Sequence, residues 1–181
     1  MKKGLLISYL ITVFAVVGFS QKNAEKPDFS GKWISDDASF YSSIVITHPG
    51  APKVKCKLDV VIEHHDPELK ITRTSVCEDN KGVKTTHESN LTYFTDGRGE
   101  VNRWWDNSSE ISTTAWDGSR IAITTYEMGA KGEKSPDMTK KLSISKDRDK
   151  LTERTSKAIP FAWETLGGRQ SYTERVFRIL K

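Results

Sequence analysis

Two cysteines, four histidines and six prolines in 181 residues leave the chain poor in the groups that most often hold metals or staple small folds. That scarcity excludes a disulfide-dense scaffold. With neither a CxxC pair nor an H-E-x-x-H helix, no zinc site is expected. A Gly-x-Ser-x-Gly elbow and a phosphate-binding glycine loop are also missing. Lys and Arg number 28 against 24 acids and are interspersed with them, so no stripe of one sign exists to track a phosphate backbone. Nucleic acid is therefore not an expected partner, and neither is a metal or organic cofactor.

Long apolar runs are absent with one exception, residues 4–17. This run follows the basic Met1-Lys2-Lys3 and precedes the small-residue stretch Gly18-Phe19-Ser20, the three-part layout of a secretory signal. It is shorter than the roughly 20 residues that span a bilayer. Cleavage after Ser20 is expected, and losing Lys2 and Lys3 halves the formal charge of +4. No later segment reaches spanning length, so a periplasmic or secreted protein without a transmembrane helix follows. Residues 1–20 are assigned to the signal, 21–28 to a flexible lead-in, and 29–181 to a single domain long enough to build its own core.

That domain is rich in Thr, Ser, Val, Ile and aromatics in period-2 runs cut by Gly, Pro, Asp and Asn, the pattern of an all-β sandwich or barrel. Strands are predicted over 31–35, 43–47, 56–64, 69–77, 83–94, 99–105, 110–116, 120–127, 139–145, 150–157 and 170–179. Tight turns at Asp66-Pro67, Asp117-Gly118 and residues 146–149 make sequence neighbours into sheet neighbours. An open meander would expose two edges, so closure into an up-and-down barrel of eight to ten strands is expected.

The first hairpin fixes a register. About a turn centred between Asp66 and Pro67, Cys56 and Cys77 are equidistant and must face each other. The same register puts Cys56, Leu58, Val60, Ile62 and His64 on one face with Leu69, Ile71, Arg73, Ser75 and Cys77. In an oxidising compartment the pair is expected to form a cross-strand disulfide. It would close a loop of about 20 residues and contribute ~3 kcal/mol on the chain-entropy view.

The opening of the domain is Asp28-Phe29-Ser30-Gly31-Lys32-Trp33. Its Gly31-x-Trp33 resembles the G-x-W motif that begins the first strand of lipocalins and the wider calycin group. The whole opening, with Trp116-Asp117-Gly118, also looks like small exported bacterial proteins with lipocalin-like barrels. The resemblance implies that Trp33 closes the barrel base, with Arg175 or Arg178 of the last strand packed over its indole. A second lipocalin motif is not matched, because Thr95-Asp96 is followed by Gly97-Arg98 without an aromatic. The resemblance is therefore to a general calycin-like barrel.

Polar residues share the inward phase with apolar ones. His87 and Tyr93 alternate with Leu91, Arg73 with Ile71, Glu127 with Ile121 and Ile123, and Glu153 with Leu151. A lumen lined in this way suits a small polar or amphipathic ligand, since buried charges require partners and a ligand can be one. The alternative is that Arg73, Glu127 and Glu153 pair with one another or lie at the rims. His64 and His65 point to opposite faces, so at most one joins any inner cluster.

Phe161 and Trp163 stand in an apolar connection over 158–169 that serves as a lid, a partner-binding loop or packing. The leading expectation is an exported lipocalin-like barrel binding a small ligand through Arg73, His87, Tyr93, Glu127 and Glu153. The alternative is a periplasmic interaction or inhibitor module using the 158–169 loop. An enzyme comes third; no catalytic residues are assigned, although His87 is the first candidate for a base.

Overall fold

A computed structural model of the chain describes residues 26–35, 55–157 and 172–180. The expected signal, the predicted strand at 43–47 and the connection carrying Phe161 and Trp163 lie outside the described residues.

The described residues form ten strands and no helix: β1 (Gly31–Ser35), β2 (Lys55–His65), β3 (Glu68–Glu78), β4 (Lys84–Phe94), β5 (Glu100–Arg103), β6 (Ser109–Asp117), β7 (Arg120–Met128), β8 (Lys134–Ile144), β9 (Lys150–Lys157) and β10 (Tyr172–Ile179). All belong to one antiparallel sheet in the order β4-β3-β2-β1-β10-β9-β8-β7-β6-β5. The first and last strands pair, Trp33 opposite Ile179, and each other strand pairs with a chain neighbour. The one gap in the ladder falls between β4 and β5, which still lie against each other. The result is an up-and-down meander rolled into a nearly closed barrel.

Alternation explains the wall. In β2, Cys56, Leu58, Val60, Ile62 and His64 are buried, while Lys57, Val61, Glu63 and His65 are exposed. β2 and β3 pair without a slip from Lys55 opposite Glu78 to His65 opposite Glu68. Only Asp66 and Pro67 are left to turn, and the peptide between them is cis. Cys56 faces Cys77 and the two are joined in a disulfide. The β6–β7 loop is Gly118-Ser119, with Gly118 at φ 65°. This two-residue loop puts Trp116 opposite Ile121 on the inner face.

The apolar core fills one end. Phe29, Trp33, Leu69, Ile71, Leu91, Ile121, Leu142, Leu151 and Phe177 are all essentially inaccessible. Five residues of the 28–33 opening have a task there. Asp28 accepts from the Ser30 amide in a short local turn. The Phe29 carbonyl accepts from the Trp33 indole at 3.3 Å, and its amide donates to His64 Nδ1 at 3.3 Å. Ser30 Oγ accepts from the His64 amide at 3.0 Å. Gly31 has φ 152°, outside the range of ordinary residues, and a Cβ there would press the Trp33 indole at 3.3 Å. Phe29, His64 and Trp116 then pack as three rings with centroids 5.7–6.1 Å apart. Asp66 ties the outside of this seal by accepting from Thr95, Trp116 and Lys26.

Candidate functional site

Above the apolar end, the inward positions become polar. Arg73 of β3 extends across the lumen to Glu153 of β9, and Arg175 of β10 meets the other oxygen of Glu153 at 3.2 Å. Glu153 is 2% exposed. Beside this triad, Glu110 of β6 accepts from the Tyr93 hydroxyl of β4 at 2.9 Å and from Lys140 of β8 at 3.3 Å. The Lys140 ammonium also lies 5.2 Å from the centre of the Trp104 ring. Six strands thus send one charged or phenolic group each into one buried cluster.

The groups perturb one another in consistent directions. Burial alone would raise the Glu153 carboxyl, but the Arg73 and Lys140 charges, the Arg73 hydrogen bond and Arg175 outweigh it and hold it at about 2. Burial pushes the Tyr93 phenol well above its ordinary value, and the charge of Glu110 pushes it further. Burial and the neighbouring Arg73 bring Lys140 down, against the pull of Glu110 and Glu153. Glu153 is therefore a carboxylate and Tyr93 a neutral donor throughout the physiological range.

Among the described residues, Arg73 Nε is buried without a hydrogen-bond partner. Glu100, another inward carboxylate of the nearby wall, is half-buried and accepts from the Ser112 and Thr114 hydroxyls at 2.8 Å and from the Phe94 amide at 3.3 Å.

Of the residues singled out in the sequence, Arg73, Tyr93 and Glu153 come together. Arg175 joins them through Glu153 instead of lying at the base. Arg178 is exposed and opposite Ile34, on the face of the sheet away from Trp33, so it does not cover the indole. His87 is half-buried and stacks on Trp105 with centroids 3.9 Å apart. Glu127 is exposed. The inward phase of β7 holds through Ile121, Ile123 and Thr125, and then a register shift against β8 at Thr125/Tyr126 breaks it. Lys140 and Glu110 were missed, although Lys140 alternates with Leu142 and Ile144, and Glu110 with Ser112 and Thr114, in the same period-2 phase that revealed Arg73.

Among the described residues, no group of three or more His, Cys, Asp or Glu side chains is placed to hold a metal ion. Nor is any helix there long and apolar enough to cross a membrane. Comparison with models of known protein families finds no match, and comparison with curated proteins finds none.

Proposed function

We propose that this is an exported, lipocalin-like barrel that binds a small polar or amphipathic molecule in its lumen. The observation that carries the reading is the division of the interior: one end sealed by Phe29, Trp33, His64 and Trp116, and above it a buried charged cluster with an unmet donor. A core built only for stability would be served at least as well by apolar side chains, because taking ions out of water costs more than most ion pairs return. The sealed base directs access from the opposite end, where the Cys56–Cys77 disulfide, His87 and Trp105 lie. The disulfide also supports export, since such bonds persist in oxidising compartments.

Expressing the full chain with its own leader and weighing the periplasmic product by native mass spectrometry tests these parts together. The expected mass is that of residues 21–181 with one disulfide, carrying a small molecule released on denaturation. A folded barrel that stays empty after exposure to a broad metabolite extract would overturn the binding reading. A product retaining residues 1–20 in the cytoplasm would overturn export.

A further inference from the structure

The ladder of the barrel breaks between β4 and β5, and the break leaves an edge. Thr92 sends both its amide and its carbonyl across that seam to Asn102, and the Phe94 amide goes to Glu100. Main-chain groups of a strand alternate in direction with every residue, and β4 pairs with β3 without a slip from Phe94 to Lys84. The amides and carbonyls of Lys84, Thr86 and Glu88 therefore also point to the seam side. β5 ends at Arg103, and the Trp105 amide meets β4 at Ser89 Oγ. Among the described residues, no strand pairs with Lys84–Glu88 on that side.

An open edge of this kind accepts a strand from another chain unless something prevents it. Charged side chains are the usual protection, and this edge has two, Lys84 and Glu88, both exposed. Against a second copy their spacing attracts. In antiparallel pairing about a two-fold axis at Thr86, Lys84 of each copy stands opposite Glu88 of the other, and Thr86 opposite Thr86. These are the residues whose main-chain groups point outward, so the same centre satisfies the hydrogen-bonding phase with about six main-chain bonds. A centre at Thr85 or His87 would keep the phase but leave both charges facing neutral residues. Both charges are loosely held within the chain: Lys84 is 3.8 Å from Glu78, and Glu88 accepts from Asn90 at 3.4 Å. Two exposed apolar side chains flank the stretch, Val83 at 58% and Trp105 at 48%. The register at Thr86 sets Val83 opposite Ser89 of the second copy, where Trp105 lies.

We propose that this edge is a self-association surface, through which two copies of the chain join by antiparallel pairing of their β4 strands over Lys84–Glu88, centred on Thr86. Lys84 then lies between Glu78 of its own β3 and Glu88 of the other copy. Val83 of each copy covers Trp105 of the other. The contact is isologous, so it closes as a dimer and does not propagate into a fibre. It lies at the end of the barrel away from the sealed base, and the second barrel stands inverted beyond the rim of the first. Such a short pairing belongs to the weak class of interfaces that bury less than about 1,200 Å².

Sedimentation velocity of the folded chain, with the Cys56–Cys77 disulfide intact, is expected to show monomer at micromolar concentration and a growing share of dimer toward millimolar. Lys84→Glu or Glu88→Lys alone sets like charges opposite each other at both ends of the pairing and is expected to weaken association about tenfold. The double variant Lys84→Glu with Glu88→Lys restores opposite charges and is expected to dimerise as the parent does. An equimolar mixture of the two single variants is expected to form a heterodimer. Thr86→Cys opposes its own counterpart at a Cα separation of about 5.5 Å, within reach of a disulfide, and is expected to cross-link on mild oxidation where Lys84→Cys does not. All three positions are exposed, so these changes spare the core.

A chain that stays monomeric up to millimolar concentration would overturn the proposal. So would a dimer that the single reversals leave unchanged or that the double reversal fails to restore, because its interface then lies elsewhere. Each of these readouts is independent of any small molecule in the lumen.

Discussion

Glu153 meets one guanidinium from across the lumen, Arg73, and one from the neighbouring strand, Arg175, while being 2% exposed, so what matters energetically is what its loss would leave behind. Glu153→Gln preserves shape but takes away the direct ion-pair partner of Arg73, leaving it beside Lys140 with only the Glu110 carboxylate, already paired to Lys140, nearby. Removing one partner of a buried ion pair costs about 3–5 kcal/mol, and urea unfolding of this variant should show a loss of that size. Replacing both members, Arg73→Met with Glu153→Leu, should cost clearly less than the single change, because apolar residues of similar volume need no counter-charge. If Glu153→Gln shifts the unfolding midpoint no further than Asp96→Asn, which breaks the exposed Asp96–Arg98 pair, the network is not the strong feature described above. At this scale the sequence was informative where alternation was clean. Arg73 and Glu153 could be found because Ile71 and Leu151 flank them in phase. Glu127 was misplaced because a bulge between Thr125 and Tyr126 leaves no mark in the residues themselves.

Among the elements, β5 is the weak link, with only four residues and no ladder to β4. Its side chains replace that ladder. Asn102 accepts from the Thr92 amide at 2.7 Å and donates to the Thr92 carbonyl at 2.9 Å, so its carboxamide acts as a missing peptide group. The Trp105 amide donates to Ser89 Oγ at 3.1 Å and continues the closure toward the far end. Asn102→Ala should therefore cost about 2 kcal/mol, two net hydrogen bonds at about 1 kcal/mol each. Hydrogen exchange of the Thr92 amide should accelerate while the β2–β3 amides stay protected. Unchanged exchange at Thr92 would mean that the seam is held some other way. The β2–β3 register could be read to the residue because the turn centre and the two cysteines constrain it independently. The seam could not, since a carboxamide standing in for a strand has no periodicity. The start of β8 at Lys134 instead of residue 139 was hidden for a related reason: Lys134, Ser135, Pro136 and Asp137 offer no alternation. Pro136 is tolerated where β8 runs past its last described partner on β9 and the β7 register shifts.

At the scale of the whole barrel, acid acts in two ranges, and the base carries a group in each, His64 and Asp66. His64 is buried with Nδ1 accepting from Phe29, and burial is the largest influence lowering its pKa, so the unfolded chain takes up its proton first. Stability from this group is present above the ordinary histidine range and is lost as pH falls below about 6.5. Asp66 is held at about 2, chiefly by the Thr95 hydroxyl and, against burial, by Trp116 and Lys26; Glu153 is held at about 2 by the cations that outweigh its burial. Both carboxyls lie below their unfolded values, so their contribution is complete above about pH 4 and disappears as pH falls toward 2. Acid should therefore weaken the barrel in two stages, the first from His64 at the base and the second shared by Asp66 there and Glu153 in the lumen. The urea midpoint should be flat from pH 8 to 7, fall modestly below about 6.5 and fall steeply below about 4. His64→Gln offers the Phe29 amide an acceptor that does not titrate, and should remove the first stage while sparing the second. A first stage that persists in this variant would mean that the upper drop arises elsewhere, and that the contacts among Phe29, His64 and Trp116 do not govern the sealed end.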